Sequence, residues 1–312
     1  MQPQDGNHNH APVTTDAVMA HLHAYDHLVK PTTTELMFNP DGSIYTERNG
    51  KLSRVNGERL HPDNLRSLIN LLAGLNHRVC NPDHPWLEVK LPYWYNARLE
   101  VLIPPIVEAP SLTFRFPPRT RLTLPELIRR GTLSDDQAHA LERAVAAHNN
   151  IIITGHTGSG KTTIASALLD LITNERVLII EDTPEINILN PNKVSIKVGD
   201  PEDFSARKAV ERAMRMRPDR IVVGEVRDGG AALELLKAIL THPGTVSTIH
   251  ADSAEDARLR FYSLLQEVLQ GKPDYDLIDR TLDCVVHVER LDEGEGGRRK
   301  VTQILFPRQT AK

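Results

Sequence analysis

The chain has 312 residues, enough for one large domain or two of medium size. It is 40% hydrophobic and 25% charged, an ordinary globular balance, and its net charge of −4 argues against a general nucleic-acid coat while leaving room for a local basic patch. The two cysteines, Cys80 and Cys284, lie far apart and in no C-x-x-C pair, so neither a disulfide framework nor a zinc ribbon is expected, and a reducing compartment suits them.

No apolar run approaches the roughly 18 to 20 residues of a membrane span. The first residues lack the basic and then apolar order of a signal peptide. The expectation is a cytoplasmic protein whose membrane contact, if any, is peripheral and made through partners.

Residues 1–13 are rich in Gln, Asn, His and Pro and read as a disordered tail. Residues 14–116 read as a small α+β domain. Val18, Leu22 and Tyr25 follow helical spacing over Thr15 to Leu28. Glu35–Phe38 is a strand, Asn39-Pro40-Asp41-Gly42 a turn, and Ser43–Arg48 the returning strand. Asn49-Gly50 turns the chain into Lys51–Val55, and Leu65–Leu72 forms an amphipathic helix. Strands follow at Trp86–Leu91, Ala97–Ile103 and Ser111–Phe116. Residues 117–123, with Pro117, Pro118, Arg119 and Arg121, read as a stiff, charged linker.

Residues 124–312 read as a second, α/β domain. Leu124–Arg130 is a short helix stopped by Gly131, and Ser134 caps a helix to about His148. Strands and helices then alternate: strand 151–154, helix 161–173, strand 177–181, a hairpin-like piece at 193–198, helix 205–216, strand 221–224, helix 229–241, strand 245–249 and helix 253–270. That alternation predicts a mostly parallel sheet covered by helices. Strands 285–291 and 300–306 close the domain around a Glu/Gly/Arg-rich turn.

The strongest motif lies at the first of these strands. Gly155-His156-Thr157-Gly158-Ser159-Gly160-Lys161-Thr162 fits G-x-x-x-x-G-K-[ST], after Ile151-Ile152-Ile153-Thr154 and before the helix that Thr163 enters. Glycines let successive backbone N–H groups face a phosphate, and the helix N-terminus adds partial positive charge. Lys161 is placed to reach the β- and γ-phosphates, and the Thr162 hydroxyl to ligate Mg²⁺. The loop alone does not separate ATP from GTP; ATP is taken as the nucleotide.

Three further strand ends carry polar groups. Ile221-Val222-Val223-Gly224 ends in Glu225 where phosphate-loop NTPases have an Asp that serves Mg²⁺ or the attacking water, and such a strand is expected beside the loop strand. Leu178-Ile179-Ile180 ends in Glu181, Asp182 and, after Thr183-Pro184, Glu185. That cluster reads either as a turn cap or as a pair of functions, one acid polarising water and another helping to hold Mg²⁺. Val246-Ser247-Thr248-Ile249 ends in His250, on the edge where such sheets bind ligands, where it could sense the γ-phosphate or take part in catalysis. Arg207, Arg212, Arg215, Arg217 and Arg220 precede the Glu225 strand, and Arg115, Arg119 and Arg121 crowd the linker. Solvated faces account for most of them, while some could stabilise a transferring phosphate.

Together, Gly155–Thr162, Ile180–Glu185, Arg215–Asp228 and Thr245–Ala251 resemble the Walker A, Asp box, Walker B and His box of the secretion-superfamily traffic ATPases, in that family's order and over residues 150–262. Within it the chain resembles most the VirB-type, TrbB-like branch of conjugation and type IV secretion. Its short N-terminal domain with Glu35–Gly42, its Ser111–Arg119 stretch, and the lack of a tetracysteine zinc insert and of long N-terminal extensions carry that likeness. The resemblance implies a RecA-like ATPase domain behind a smaller N-terminal domain, and a homohexameric ring with ATP and Mg²⁺ between the domains. It also implies channel components at the inner membrane as partners, without sequence-specific nucleic-acid binding. It implies Lys161 and Thr162 on phosphate and Mg²⁺, Glu185 as the water-activating acid, Glu225 as the Walker B acid and metal ligand, His250 as sensor, Arg115 on the nucleotide, and Arg215 and Arg217 as intersubunit fingers. Alternatives are a pilus or type II secretion motor, a nucleotide-gated assembly scaffold and, least favoured by charge and aromatic content, a helicase.

Overall fold

A computed structural model describes residues 14–48, 50–57, 62–117, 121–199, 204–269, 271–291 and 298–307. The expected tail at 1–13, Arg119, and most of the turn between the last two strands lie outside the described residues. The chain divides into two units, Met1–Thr120 and Arg121–Lys312.

In the first unit, alternating residues make a sheet with one buried face. Its strands are β1 (Thr33–Phe38), β2 (Ile44–Arg48), β3 (Lys51–Arg54), β4 (Trp86–Leu91), β5 (Ala97–Leu102) and β6 (Ser111–Arg115). They pair antiparallel in the order β3-β2-β1-β6-β5-β4. Leu87, Val89 and Leu91 of β4 point inward while Trp86 and Glu88 face solvent. Helices α1 (Thr15–Leu22) and α2 (Pro62–Leu75) contribute Val18, Leu22, Leu65, Leu68 and Leu72 to the same core. The helix expected over Thr15–Leu28 tightens to 3-10 geometry at His23. There Asp26 accepts from Trp94 Nε1 at 2.8 Å and pairs with His23 Nδ1 at 2.7 Å.

The second unit opens with α3 (Leu124–Arg129) and α4 (Asp135–Ala146), each started by a capping box, Thr123 with Glu126 and Ser134 with Gln137. Then follow β7 (Ile151–Thr154), α5 (Lys161–Leu169), β8 (Val177–Glu181), β9 (Lys193–Lys197), α6 (Ala206–Ala213), β10 (Arg220–Val223), α7 (Gly229–Thr241) and β11 (Val246–Ile249). The chain ends through α8 (Ala254–Val268), α9 (Tyr275–Thr281), β12 (Cys284–Leu291) and β13 (Arg298–Leu305). Strands β7, β8, β10 and β11 are buried along their whole length, as strands covered on both faces must be. Ile151 and Ile153 pack with Leu141, Ile164 and Leu168 on one face; Ile152 packs with Leu235, Phe261 and Leu265 on the other. This is the α/β architecture the alternation predicts.

Two ladders make up the sheet, β10-β8-β9 and β11-β7-β12-β13, all parallel except the β12–β13 pair. They meet where Thr248 Oγ1 donates to Gly224 O at 2.7 Å, Val226 N to Thr248 O at 2.8 Å, and Val223 N to Ser247 Oγ at 3.2 Å. Two expectations are corrected here. The 193–198 piece is not hairpin-like: β9 runs parallel to β8, because the eleven residues between them carry the chain back to the start of the sheet before it pairs. The Glu225 strand is not beside the loop strand: β7 is paired with β11 and β12, so β11 stands between β7 and β10. Helix α9 has no counterpart in the pattern reading.

Arg220 fixes the start of β10. It is buried, gives Nε and Nη2 to Glu175 at 2.6 and 2.9 Å, and gives Nη2 to Val145 O at 3.0 Å and Nη1 to Gly244 O at 3.3 Å. Removing one partner of such a pair strands the others. Arg220→Ala is expected to lower unfolding free energy by about 3 kcal/mol in urea titrations; a loss below about 1 kcal/mol would mean water replaces the guanidinium at little cost.

Candidate functional site

The loop after β7 is shaped by two glycines. Gly155 has φ +145°, and a Cβ there would collide with Val288 O of β12. Gly160 sits at φ +104° as the residue before α5, so the helix begins at Lys161 with its free N–H groups at the loop. Lys161 is buried, and its ammonium donates to Gly155 O at 2.8 Å and His156 O at 3.0 Å, with His250 Nδ1 at 3.3 Å. Burial pushes its pKa down, while the Glu225 and Glu185 carboxylates pull it back up. Ser159 is buried, with no hydrogen-bond partner for its Oγ among the described residues, and Gly158 faces open space. His156 and Thr157 are exposed, and His156 Nε2 lies 3.6 Å from Asp252.

A line of polar contacts leads from Lys161 across three strand ends. An ammonium only donates, so His250 Nδ1 accepts and the imidazole proton sits on Nε2. Nε2 donates to Glu225 Oε1 at 2.7 Å. Burial first and the Lys161 ammonium second hold the His250 pKa below its ordinary value, which keeps the ring neutral at pH 7. Glu225 Oε2 accepts from Arg227 Nη2 at 2.7 Å, and the other arm of Arg227 reaches Asp182. Those charge-assisted bonds, to Glu225 above all, raise the Arg227 pKa further.

The acids after β8 separate into three environments. Glu185 Oε2 accepts from Thr162 Oγ1 at 3.4 Å. Asp182 faces Arg227. Glu181 is 7% exposed, and burial outweighs two backbone hydrogen bonds to raise its pKa to about 7.

The sequence motifs therefore converge: Lys161, Thr162, Glu185, Glu225 and His250 stand at one edge of one sheet. Thr163 is half-buried in the first turn of α5. Arg115 belongs to the first unit, at the exposed end of β6 opposite Glu35 and Arg98. Arg215 and Arg217 are exposed after α6, and Arg121 pairs with Asp170 at 2.8 Å. Pattern reading missed two arginines. Arg227 bridges two of the acids. Arg299 of β13 donates Nε to Gly158 O at 3.1 Å, and its Cδ lies 3.1 Å from where a Cβ on Gly160 would be. Nothing in sequence spacing announces a contact across 141 residues.

The donor set suits a nucleotide phosphate: an ammonium, the N-terminal amides of a nine-residue helix and an unpartnered buried hydroxyl. Among the described residues no three His, Cys, Asp or Glu side chains gather into a metal cage. Mg²⁺ held largely by phosphates and water needs only one or two protein oxygens, and Thr162 Oγ1 and Glu225 are of the right kind. Among the described residues no helix is long and apolar enough to cross a membrane.

The profile described as Type II/IV secretion system protein matches residues 24–294, and the chain belongs to that family, as a traffic ATPase of the TrbB and VirB11 type. It is 37% identical over 276 residues to the probable conjugal transfer protein TrbB of Sinorhizobium fredii, covering 87% of this chain and 82% of that one. It is 30% identical over 318 aligned positions to the type IV secretion system protein VirB11 of Bartonella quintana, covering 87% of each. Among solved structures, the Legionella pneumophila ATPase DotB superposes with a TM-score of 0.66 over 97% of this chain and 83% of that one, at 22% identity, a likeness of fold.

Glu181 also links the site to pH. Its folded pKa lies above the ordinary 4.5, so the folded state holds the proton more tightly than the unfolded chain, and stability falls as pH rises from 4.5 through about 7. Glu181→Gln removes that titration. The variant should gain up to about 3 kcal/mol relative to wild type on going from pH 4.5 to pH 8. Thermal melts at the two pH values check this; an equal difference at both contradicts it.

Proposed function

We propose that this chain hydrolyses Mg–ATP in a homohexameric ring that powers type IV secretion or conjugative DNA transfer, on the cytoplasmic face of the inner membrane and through channel components there. The observation that carries this reading is the convergence of Lys161, Thr162, Glu185, Glu225 and His250 on one sheet edge in a chain of the TrbB and VirB11 type.

In this reading the γ-phosphate enters the loop and takes the Lys161 ammonium from the carbonyls of Gly155 and His156. The amides at the start of α5 hold the β-phosphate. Thr162 Oγ1 and Glu225 would hold Mg²⁺ together with the phosphates, and the ion would neutralise the charge that develops on the transferred group. Glu185 orients the attacking water and accepts its proton. His250 Nδ1 loses its Lys161 donor as the ammonium turns to the phosphate, and the ring carries the change to Glu225 through Nε2. Arg299 flanks the loop from β13 and steadies the Gly158 peptide. Arg115, with Arg215 and Arg217 of a neighbouring copy, supplies further positive charge, and residues 117–123 act as the hinge between the domains.

Three variants test the assignment. Lys161→Ala is expected to abolish phosphate release while its circular dichroism spectrum and melting behaviour stay those of the wild type; undiminished release would overturn the ATPase reading. Glu185→Gln should bind a fluorescent ATP analogue normally and turn over about 10²- to 10³-fold more slowly. A dead Glu225→Gln beside a near-normal Glu185→Gln would exchange the roles of the two acids.

A further inference from the structure

Of the three acids after β8, Asp182 faces Arg227 and Glu185 faces Thr162, but Glu181 meets no cation among the described residues. It occupies the last position of β8, 7% exposed. One oxygen, Oε1, accepts the backbone N–H of Glu185 and that of Ile186, both at 3.0 Å. The other, Oε2, is buried without a hydrogen-bond partner among the described residues. The wall behind the carboxyl is Gly224 of the neighbouring strand end: a Cβ there would lie 2.5 Å from Glu181 Cγ and 3.2 Å from Oε1.

A buried carboxyl is costly unless its acceptors are used. Here the use is specific. Residues 182–190 form neither helix nor strand, so their N–H groups have no ladder to join. The two that Glu181 satisfies are those on either side of the Glu185 Cα, and fixing both peptides fixes the direction in which the Glu185 side chain leaves the backbone. That direction ends at Thr162 Oγ1. The glycine ahead of Glu225 makes room for the brace.

We propose that Glu181 is a positioning residue, which braces the peptides around Glu185 against Gly224 and so aims the hydrolytic carboxylate at the Thr162 end of the phosphate loop. The proposal rests on the reading of Glu185 as the hydrolytic acid. It requires an acceptor oxygen at Oε1 and no charge, because one amide oxygen can receive the same two N–H groups. It also gives Gly224 a steric role separate from the chemistry of Glu225.

The test uses the full chain and four variants, with phosphate release for kcat, a fluorescent non-hydrolysable ATP analogue for Kd, and thermal melts. Glu181→Ala should lower kcat about 10- to 100-fold and change analogue Kd less than about twofold. Glu181→Gln should keep kcat within about threefold of wild type. Gly224→Ala, which displaces the carboxyl from the opposite side, should reproduce the Glu181→Ala split between kcat and Kd. Full activity in Glu181→Ala overturns the proposal, as does a Glu181→Gln variant as slow as Glu181→Ala, or kcat and binding lost in proportion. Should Glu181→Ala fail to melt cooperatively, Glu181→Gln and Gly224→Ala decide by the same criteria. Glu185→Gln separates the two levels: normal turnover there removes the hydrolytic-acid assignment itself, whereas slow turnover there with full activity in Glu181→Ala removes only the brace.

Discussion

The site depends on where the buried Lys161 ammonium places its three donors. Two go to carbonyls of its own loop and one to His250 Nδ1. The tautomer of His250 follows from that last contact, and with it the donation from Nε2 to Glu225. Glu225 is then left with one oxygen for Arg227, whose other arm holds Asp182. Each group is satisfied only because the one before it is. In the proposed function a phosphate in the loop competes for the same ammonium, and its arrival would be transmitted as a change of hydrogen-bond partners along the line.

Strand order gives that line its course. Lys161 follows β7, His250 follows β11 and Glu225 follows β10, three neighbouring strand ends in that spatial order. With β11 between the loop strand and the Glu225 strand, a carboxylate after β10 meets the lysine through a side chain from β11. The two ladders join there through Ser247 and Thr248 side chains and one backbone bond. Arg220 pins the far end of β10 to α4 and to Gly244, two residues before β11, so the strand that carries Glu225 is anchored at both ends.

Much of this was legible in the sequence, for identifiable physical reasons. Ile151–Thr154, Leu178–Ile180, Ile221–Val223 and Val246–Ile249 are short β-branched runs ended by polar residues, and full burial of a parallel sheet requires that composition. The phosphate loop was legible because its glycines answer to backbone demands that no other residue meets. Strand order is not legible: hydrophobic runs say that strands are buried and do not say which are neighbours, and nothing in them contradicts placing the Glu225 strand beside β7. The direction of β9 was missed because a half-polar five-residue strand looks alike in a hairpin and in a crossover. Glu181, Asp182 and Glu185 were seen as a cluster, but their different tasks depend on partners that are distant in the chain, Gly224, Arg227 and Thr162. Arg299 lay beyond reach for the same reason.

The most direct measurement of this account is nitrogen-15 NMR of the His250 ring at pH 7, before and after saturation with Mg²⁺ and a non-hydrolysable ATP analogue. The account predicts a neutral ring protonated at Nε2 in the protein alone, and on binding a shift of Nδ1 as Lys161 leaves it, while Nε2 keeps its proton and goes on donating it to Glu225. A ring protonated at Nδ1 or at both nitrogens in the protein alone would contradict it, and so would an Nδ1 signal that does not move when the analogue is fully bound.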